Sequence, residues 1–205
     1  RVSLTIGIIT SMITVMLGIV YGITSAVFGG FIDEIMQRFY EVMSSIPLMP
    51  ILIMLAVAYT LNIWGIILLL VVFGWMGTSR TARSMAFQIK SMDYVEAARA
   101  VGAGRWWIIR KHILPQILPY AFASMALSVP GYVLTEAGLS FLGLGDLTKV
   151  TWGRILNEAQ MNNALSNGYW WWVIPPGLAI ALLGLTFAFI GSALNKVLFP
   201  KLRTL

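Results

Sequence analysis

The chain has no cysteine and one histidine, His112, among 205 residues. No disulfide framework, thiolate nucleophile or Cys-built metal site is therefore available, and a histidine-rich metal centre is excluded within this chain. Charge is scarce as well: Asp, Glu, Lys and Arg make up 11% of the residues, against 59% hydrophobic. With a mean hydropathy of +0.83, such a chain has lipid rather than water as its main solvent. A G-x-x-x-x-G-K-[ST] loop is missing too, so nothing in these residues cradles nucleotide phosphates. The formal charge of +6 does not point to nucleic acid. The basic residues flank apolar runs and form no solvated arm, so a membrane-sided bias accounts for them.

What the chain does have is long charge-free runs, and a span needs roughly 20 apolar residues. Val2 to Ile32 carries no charge. Val42 to Ser79 is 38 uncharged residues, about right for two spans, with "YTLNIWG" (Tyr59 to Gly65) as the polar break of a tight hairpin. A fourth span is predicted over about Gln116 to Thr135 and a fifth over about Trp171 to Asn195, after the polar "NEAQMNNALSNG". The expected fold is an all-α membrane protein with five transmembrane helices, forming a single domain over residues 1–205.

Basic residues set the orientation, because cytoplasmic loops retain Lys and Arg. Arg80, Arg83, Lys90, Arg99, Arg105, Arg110 and Lys111 lie between spans three and four, which puts that loop inside. Alternation adds Arg38, Lys196, Lys201 and Arg203, giving eleven basic residues inside against Arg1, Lys149 and Arg154 outside. The C-terminus is then cytoplasmic. Arg1 falls outside, and the chain starts with neither Met nor a signal peptide. One further upstream span, making six, is the simplest expectation.

The inside loop, about residues 87–115, contains "DYVEAARAVGAGRWWIIRKHILP". Asp93 and Glu96 are spaced as an N-cap and its capping-box partner, and Gly102 is a helix stop, so Tyr94 to Val101 is predicted as a two-turn helix. Its alanines, Ala97, Ala98 and Ala100, let another surface approach closely. A second helix is predicted over Arg105 to Leu114, with Trp106 and Trp107 at headgroup level and Pro115 ending it. A simple interfacial anchor would share these features.

The pattern Glu96-Ala97-Ala98, three residues, Gly102, nine residues, His112, one residue, Leu114-Pro115 resembles the EAA loop of importer-type ABC permeases. His112 stands where the general pattern has Ile. "RVSLTIG", "GGFIDEIMQRFYEVMSSIP" and "EAGLSFLGLG" are similar to the second permease subunit of dipeptide and oligopeptide importers, while "DLTKVTWG" departs from the Pro-rich turn of many relatives. The resemblance implies a prokaryotic inner-membrane subunit that forms half of a translocation path. It implies a homologous second permease, two separate ATPase subunits that bind the ATP and Mg, and an extracytoplasmic substrate-binding protein. No cofactor and no catalytic residue are expected in this chain itself. Tyr94, Glu96, Ala97, Ala98, Arg99, Gly102, Leu114 and Pro115 would then couple the spans to an ATPase. Peptides are the expected cargo, with nickel chelates, glutathione and oligosaccharides as alternatives carried by the same branch. A self-powered channel or secondary transporter would need ionisable residues at mid-membrane, and the expected span centres have none.

Several other residues allow two readings. Gly18 and Gly22 form a G-x-x-x-G pair, which serves either ordinary close helix packing or a contact with the second permease. Pro130 and Gly131 interrupt span four as a hinge or as a passive kink, and Glu136 is either a wetted helix end or part of an outer gate. Glu34 and Arg38 are spaced for an i,i+4 ion pair. "WWW" at Trp170 to Trp172 reads as an aromatic belt where span five leaves an outer loop of about residues 136–170.

Overall fold

A computed structural model describes residues 1–59, 61–146 and 148–198. Lys201 and Arg203, two of the residues counted as inside, lie outside that set. The described residues are helical, with no strand among them. In chain order the helices are α1 (Val2–Phe28), α2 (Gly30–Ser45), α3 (Leu48–Ala58), α4 (Ile63–Gly74), α5 (Met76–Lys90), α6 (Asp93–Ala100) and α7 (Arg105–Ile108). A π-turn over Ile109–Ile113 comes next, then α8 (Leu114–Phe141), α9 (Trp152–Met161) and α10 (Trp170–Leu198).

Among the described residues, four helical stretches are long and apolar enough to cross a membrane: Val2–Phe28, Ile63–Lys90, Arg105–Phe141 and Trp170–Lys196. A fifth candidate, α2 with α3, is bent by 73°. The second span expected from the sequence is thus not one straight helix. Pro47 is the reason: it biases Ile46 out of helical geometry, at φ −80° and ψ 119°, and α3 restarts beyond it.

The helix α1 shows how such a chain packs without water. Its small hydroxyl residues Ser3, Thr10, Ser11 and Thr14 share one face and are buried. Met12, Met16 and Val20 on the other side are exposed. Small polar residues turned inward and large apolar ones outward is the pattern of a helix whose outer solvent is lipid. The Ser11 hydroxyl donates to the Met125 carbonyl at 2.6 Å, which satisfies it inside the fold.

The chain divides into two compact units. One comprises Arg1–Met12, Pro47–Val72 and Met125–Gly191. Its core joins Ile6, Leu52, Ile66, Ile67, Leu70 and Leu139, with a second cluster of Val129, Val133 and Leu183. Asp146 sits here. It accepts from the Ile63 amide at 3.1 Å, capping α4, and from the Thr148 amide and hydroxyl at 2.8 and 2.6 Å. The Thr148 hydroxyl bond is the main reason its carboxyl is held below the ordinary value of 3.8. Gly153 brings α9 against α8 so closely that a Cβ there would lie 2.4 Å from the Ala137 carbonyl oxygen.

The other unit comprises Ile13–Ile46, Phe73–Ser124 and the end of α10 from Ser192. Here Gly18 and Gly22 seat α1 directly on α5: an added Cβ would meet the Trp75 oxygen at 2.7 Å and the Ser79 oxygen at 2.4 Å. The G-x-x-x-G pair therefore serves close packing within this chain. Arg83 makes a two-pronged pair with Asp33, at 2.9 and 2.7 Å, and both bond Ser25. That cluster ties α1, α2 and α5 together.

Other local expectations need correction. Arg38 pairs with Glu41 at 3.0 Å, not with Glu34, and this exposed i,i+3 pair is worth about 0–1 kcal/mol. Helix α8 runs unbroken through Pro130 and Gly131, so these residues do not interrupt it, and the Thr135 hydroxyl donates back to the Gly131 carbonyl at 2.9 Å. Glu136 is not a wetted terminus. It lies inside α8, fully buried, with one carboxylate oxygen accepting from Ser140 at 2.6 Å and the other without a hydrogen-bond partner. The outer loop is correspondingly shorter, since α8 extends to Phe141 and α9 takes up ten residues of the stretch before α10.

Candidate coupling site

Helix α6 begins one residue earlier than the capping-box spacing predicts. Met92 holds the N-cap position with φ −78° and ψ 141°, and it makes no side-chain cap bond. Asp93 is therefore the first helical residue and the capping box does not form. Asp93 and Glu96 both fall in the first turn, where negative charge opposes the positive end of the helix dipole.

The far end is built as the glycine suggested. Gly102 adopts φ +92°, the left-handed region that only glycine enters freely. Its amide bonds the Arg99 carbonyl at 2.9 Å and the Ala103 amide bonds the Ala98 carbonyl at 3.0 Å, a Schellman closure.

One face of α6 is anchored and one is free of the chain. Val95 is fully buried. Asp93, Glu96, Ala97, Ala100 and Val101 are exposed, and Val101 reaches 87%. Ala98 is half-buried and Arg99 exposed. Tyr94 fixes the helix sideways: its hydroxyl accepts from the Gln116 side chain at 2.7 Å, and its ring lies 5.3 Å from that of His112. His112 in turn meets the Trp107 ring edge-on at 5.1 Å. Aromatic pairs at these separations contribute about 0.5–1.5 kcal/mol each beyond the area they bury.

The segment from Arg105 does not stop at Pro115. Helix α7, the π-turn and α8 are continuous, and Pro115 is the second residue of α8. Proline clashes with the carbonyl one turn before it in a regular helix. The wide turn, in which the Leu114 amide reaches back to the Ile109 carbonyl, accommodates that clash without breaking the rod. Ile108, Ile109 and Ile113 are buried, as are Ala86 and Ile89 of α5. Leu114 is half-buried and Pro115 exposed.

Sequence reasoning brought Tyr94, Glu96, Ala97, Ala98, Arg99 and Gly102 together on one short helix and its cap, and the structure places them so. It places Pro130, Gly131 and Glu136 elsewhere, in α8. Reasoning missed Val95, although it is the one large aliphatic residue in "DYVEAARA" and so the natural anchor. It also missed the bracing role of His112, which no spacing rule reveals.

The described residues thus combine four helical stretches of membrane length with a short helix, α6, that is anchored through Val95 and Tyr94 and exposed on its other face. The chain belongs to the family described as binding-protein-dependent transport system inner membrane component, whose model matches residues 15–204. It is 36% identical over 204 residues to the dipeptide transport system permease protein DppC of Bacillus subtilis, covering 99% of this chain and 63% of that protein. It is 37% identical over 202 residues to the oligopeptide transport system permease protein OppC of Haemophilus influenzae, covering 98% and 64%. The chain thus spans under two thirds of the length of these relatives. Among solved structures, a chain of the MetNI methionine ABC transporter in an inward-facing conformation superposes with a TM-score of 0.74 at 18% identity, covering 96% of this chain and 93% of that one. That likeness speaks for the fold alone.

Proposed function

We propose that this chain is a non-catalytic permease subunit of an ATP-driven importer, forming half of a translocation path for peptides delivered by an external binding protein. The observation that carries the proposal is α6: a braced helix whose small, acid-tipped face is left exposed by its own chain. A separate ATPase, which binds the ATP and Mg, seats this face in a groove, and closure of two such subunits tilts the spans. A homologous second permease completes the path.

The relatives named for dipeptide and oligopeptide transport support peptides as cargo. With the whole complex and its own binding protein reconstituted, di- to pentapeptides are expected to stimulate ATP hydrolysis several-fold. Stimulation by oligosaccharides or nickel chelates alone would overturn the peptide assignment and leave the importer standing. In this reading the α6 loop and the C-terminus are cytoplasmic. Single cysteines in a chain that has none are the check. A cysteine at Lys149 is expected to react with an impermeant thiol reagent from outside and one at Arg99 only after permeabilisation, and the reverse pattern would invert the topology.

A further inference from the structure

Two helices overrun the apolar layer by the same amount. Lys90 stands eleven residues beyond Ser79, where the uncharged run of the third expected span ends, and Arg105 stands eleven residues before Gln116, where the fourth begins. Both stretches are helical throughout. At 1.5 Å per residue the overrun is about 16 Å, and a tilt of about 40° still leaves about 12 Å. The headgroup layer on each side of the hydrocarbon is only about 5–8 Å deep. These helix ends therefore stand clear of the lipid, beside α6, which starts three residues after Lys90. Helix α1, with 27 residues and a length of about 40 Å, exceeds the hydrocarbon thickness by about 10 Å and joins them there.

A cleft of about 450 Å³ opens at this level. Lys90, Arg99 and Arg105 give it three positive charges, and no carboxylate lines it. Val27, Phe28 and Ile108 form its apolar wall. The Lys90 ammonium is partly engaged, donating to the Ala26 and Val27 carbonyls at 2.8 and 3.4 Å. Among the described residues neither Arg99 nor Arg105 pairs with a carboxylate, and both are exposed. Arg105 rests 5.5 Å above the Phe28 ring. Like charges sharing one cleft repel each other, and an anion entering it removes that cost. The mouth is open, since a Cβ added at Gly104 would meet nothing within 4 Å. Arg99 lies one helical turn from Glu96, so the cleft is continuous with the free face of α6.

We propose that this cleft receives an acidic segment of the ATPase, so that the coupling loop is held by two contacts of opposite sign. The proposal rests on the reading of α6 as the ATPase seat, and it adds the chemistry of the partner surface. Asp93 and Glu96 require a basic group in the ATPase groove. The cleft requires a carboxylate about one helical turn away, with an apolar side chain beside it to cover Phe28 and Ile108. Two points of opposite charge fix which way round the helix sits, which one charge alone does not. A lipid headgroup lies too shallow to reach the site.

The test is carbodiimide coupling, which joins a carboxylate directly to an amine in contact with it, on the intact complex carrying Arg105→Lys. That substitution keeps the positive charge. Mass spectrometry is expected to find the new amine joined to an Asp or Glu of an ATPase subunit. An adduct to the second permease or to this chain's own C-terminal carboxylate, with none to the ATPase, would overturn the proposal. If a cysteine at Ala97 cross-links to the ATPase and Arg105→Lys does not, the cleft proposal falls and the role of α6 stands; if neither does, both fall. Arg105→Glu is expected to weaken ATPase association by about tenfold at low salt. At about 1 M salt, where screening acts within about 3 Å, the difference is expected to shrink to about twofold. Unchanged ATPase association in Arg105→Glu, with loss of retained phosphatidylglycerol instead, would mark the cleft as a lipid site and overturn the proposal.

Discussion

Glu96→Lys is expected to leave the subunit folded in the membrane and to reduce transport to background. Glu96 is exposed in the first turn of α6, so no buried partner is lost on substitution. A lysine there opposes the helix dipole, a local cost of about 0.3–1 kcal/mol. Val95, the Tyr94 bond to Gln116 and the Gly102 closure all remain to hold the helix. The loss falls instead on docking, where reversing the charge sets like against like and weakens association by about a hundredfold or more. Glu96→Gln, which removes the charge without reversing it, is expected to fall between. Uptake by membrane vesicles and co-purification of the ATPase measure the two effects together. Wild-type uptake by Glu96→Lys would remove α6 from the coupling role.

Gly22→Val is expected to abolish accumulation of folded subunit, for a reason unconnected with coupling. The valine Cβ would start 2.4 Å from the Ser79 carbonyl oxygen and 2.7 Å from the Arg83 amide nitrogen, both backbone atoms that no rotamer change moves aside. Overpacking a flexible core costs about 1–3 kcal/mol, and rigid backbone on the far side takes the cost to the top of that range or beyond. Forcing α5 away would also disturb the Arg83–Asp33 pair, which lies one turn on. Surface abundance and detergent melting temperature give the readout. A Gly22→Val subunit as stable as the parent would contradict the close seating of α1 on α5.

Legibility in the sequence tracks the range of the interactions concerned. Charge-free runs and the G-x-x-x-G pair depend on composition and on spacing within one helix, and both were legible. Gly102 was legible because a left-handed residue after a run of helix formers has few alternatives to glycine. The capping box failed by one position: the letters are right, but Met92 takes the cap and shifts Asp93 into the helix. Pro115 failed because the rule that proline ends a helix assumes regular turns, and the preceding π-turn is not regular. Asp33 with Arg83, 50 positions apart, and Asp146 with Ile63, 83 apart, were out of reach of any local pattern. Glu136 misled because a carboxylate near the predicted end of a span is ordinarily wet, and this one is sealed by neighbours that only the fold brings to it.

The central claim, that α6 is gripped by a separate ATPase, is tested most directly by a cysteine at Ala97, which would be the only one among these 205 residues. Ala97 is exposed at the middle of the free face, so a cysteine there disturbs little. In the intact complex a short thiol-to-amine cross-linker is expected to join it to an ATPase subunit, while a cysteine at Asn163, in the segment after α9, is expected to give no such product. An ATPase adduct at Asn163 with none at Ala97 would contradict the account.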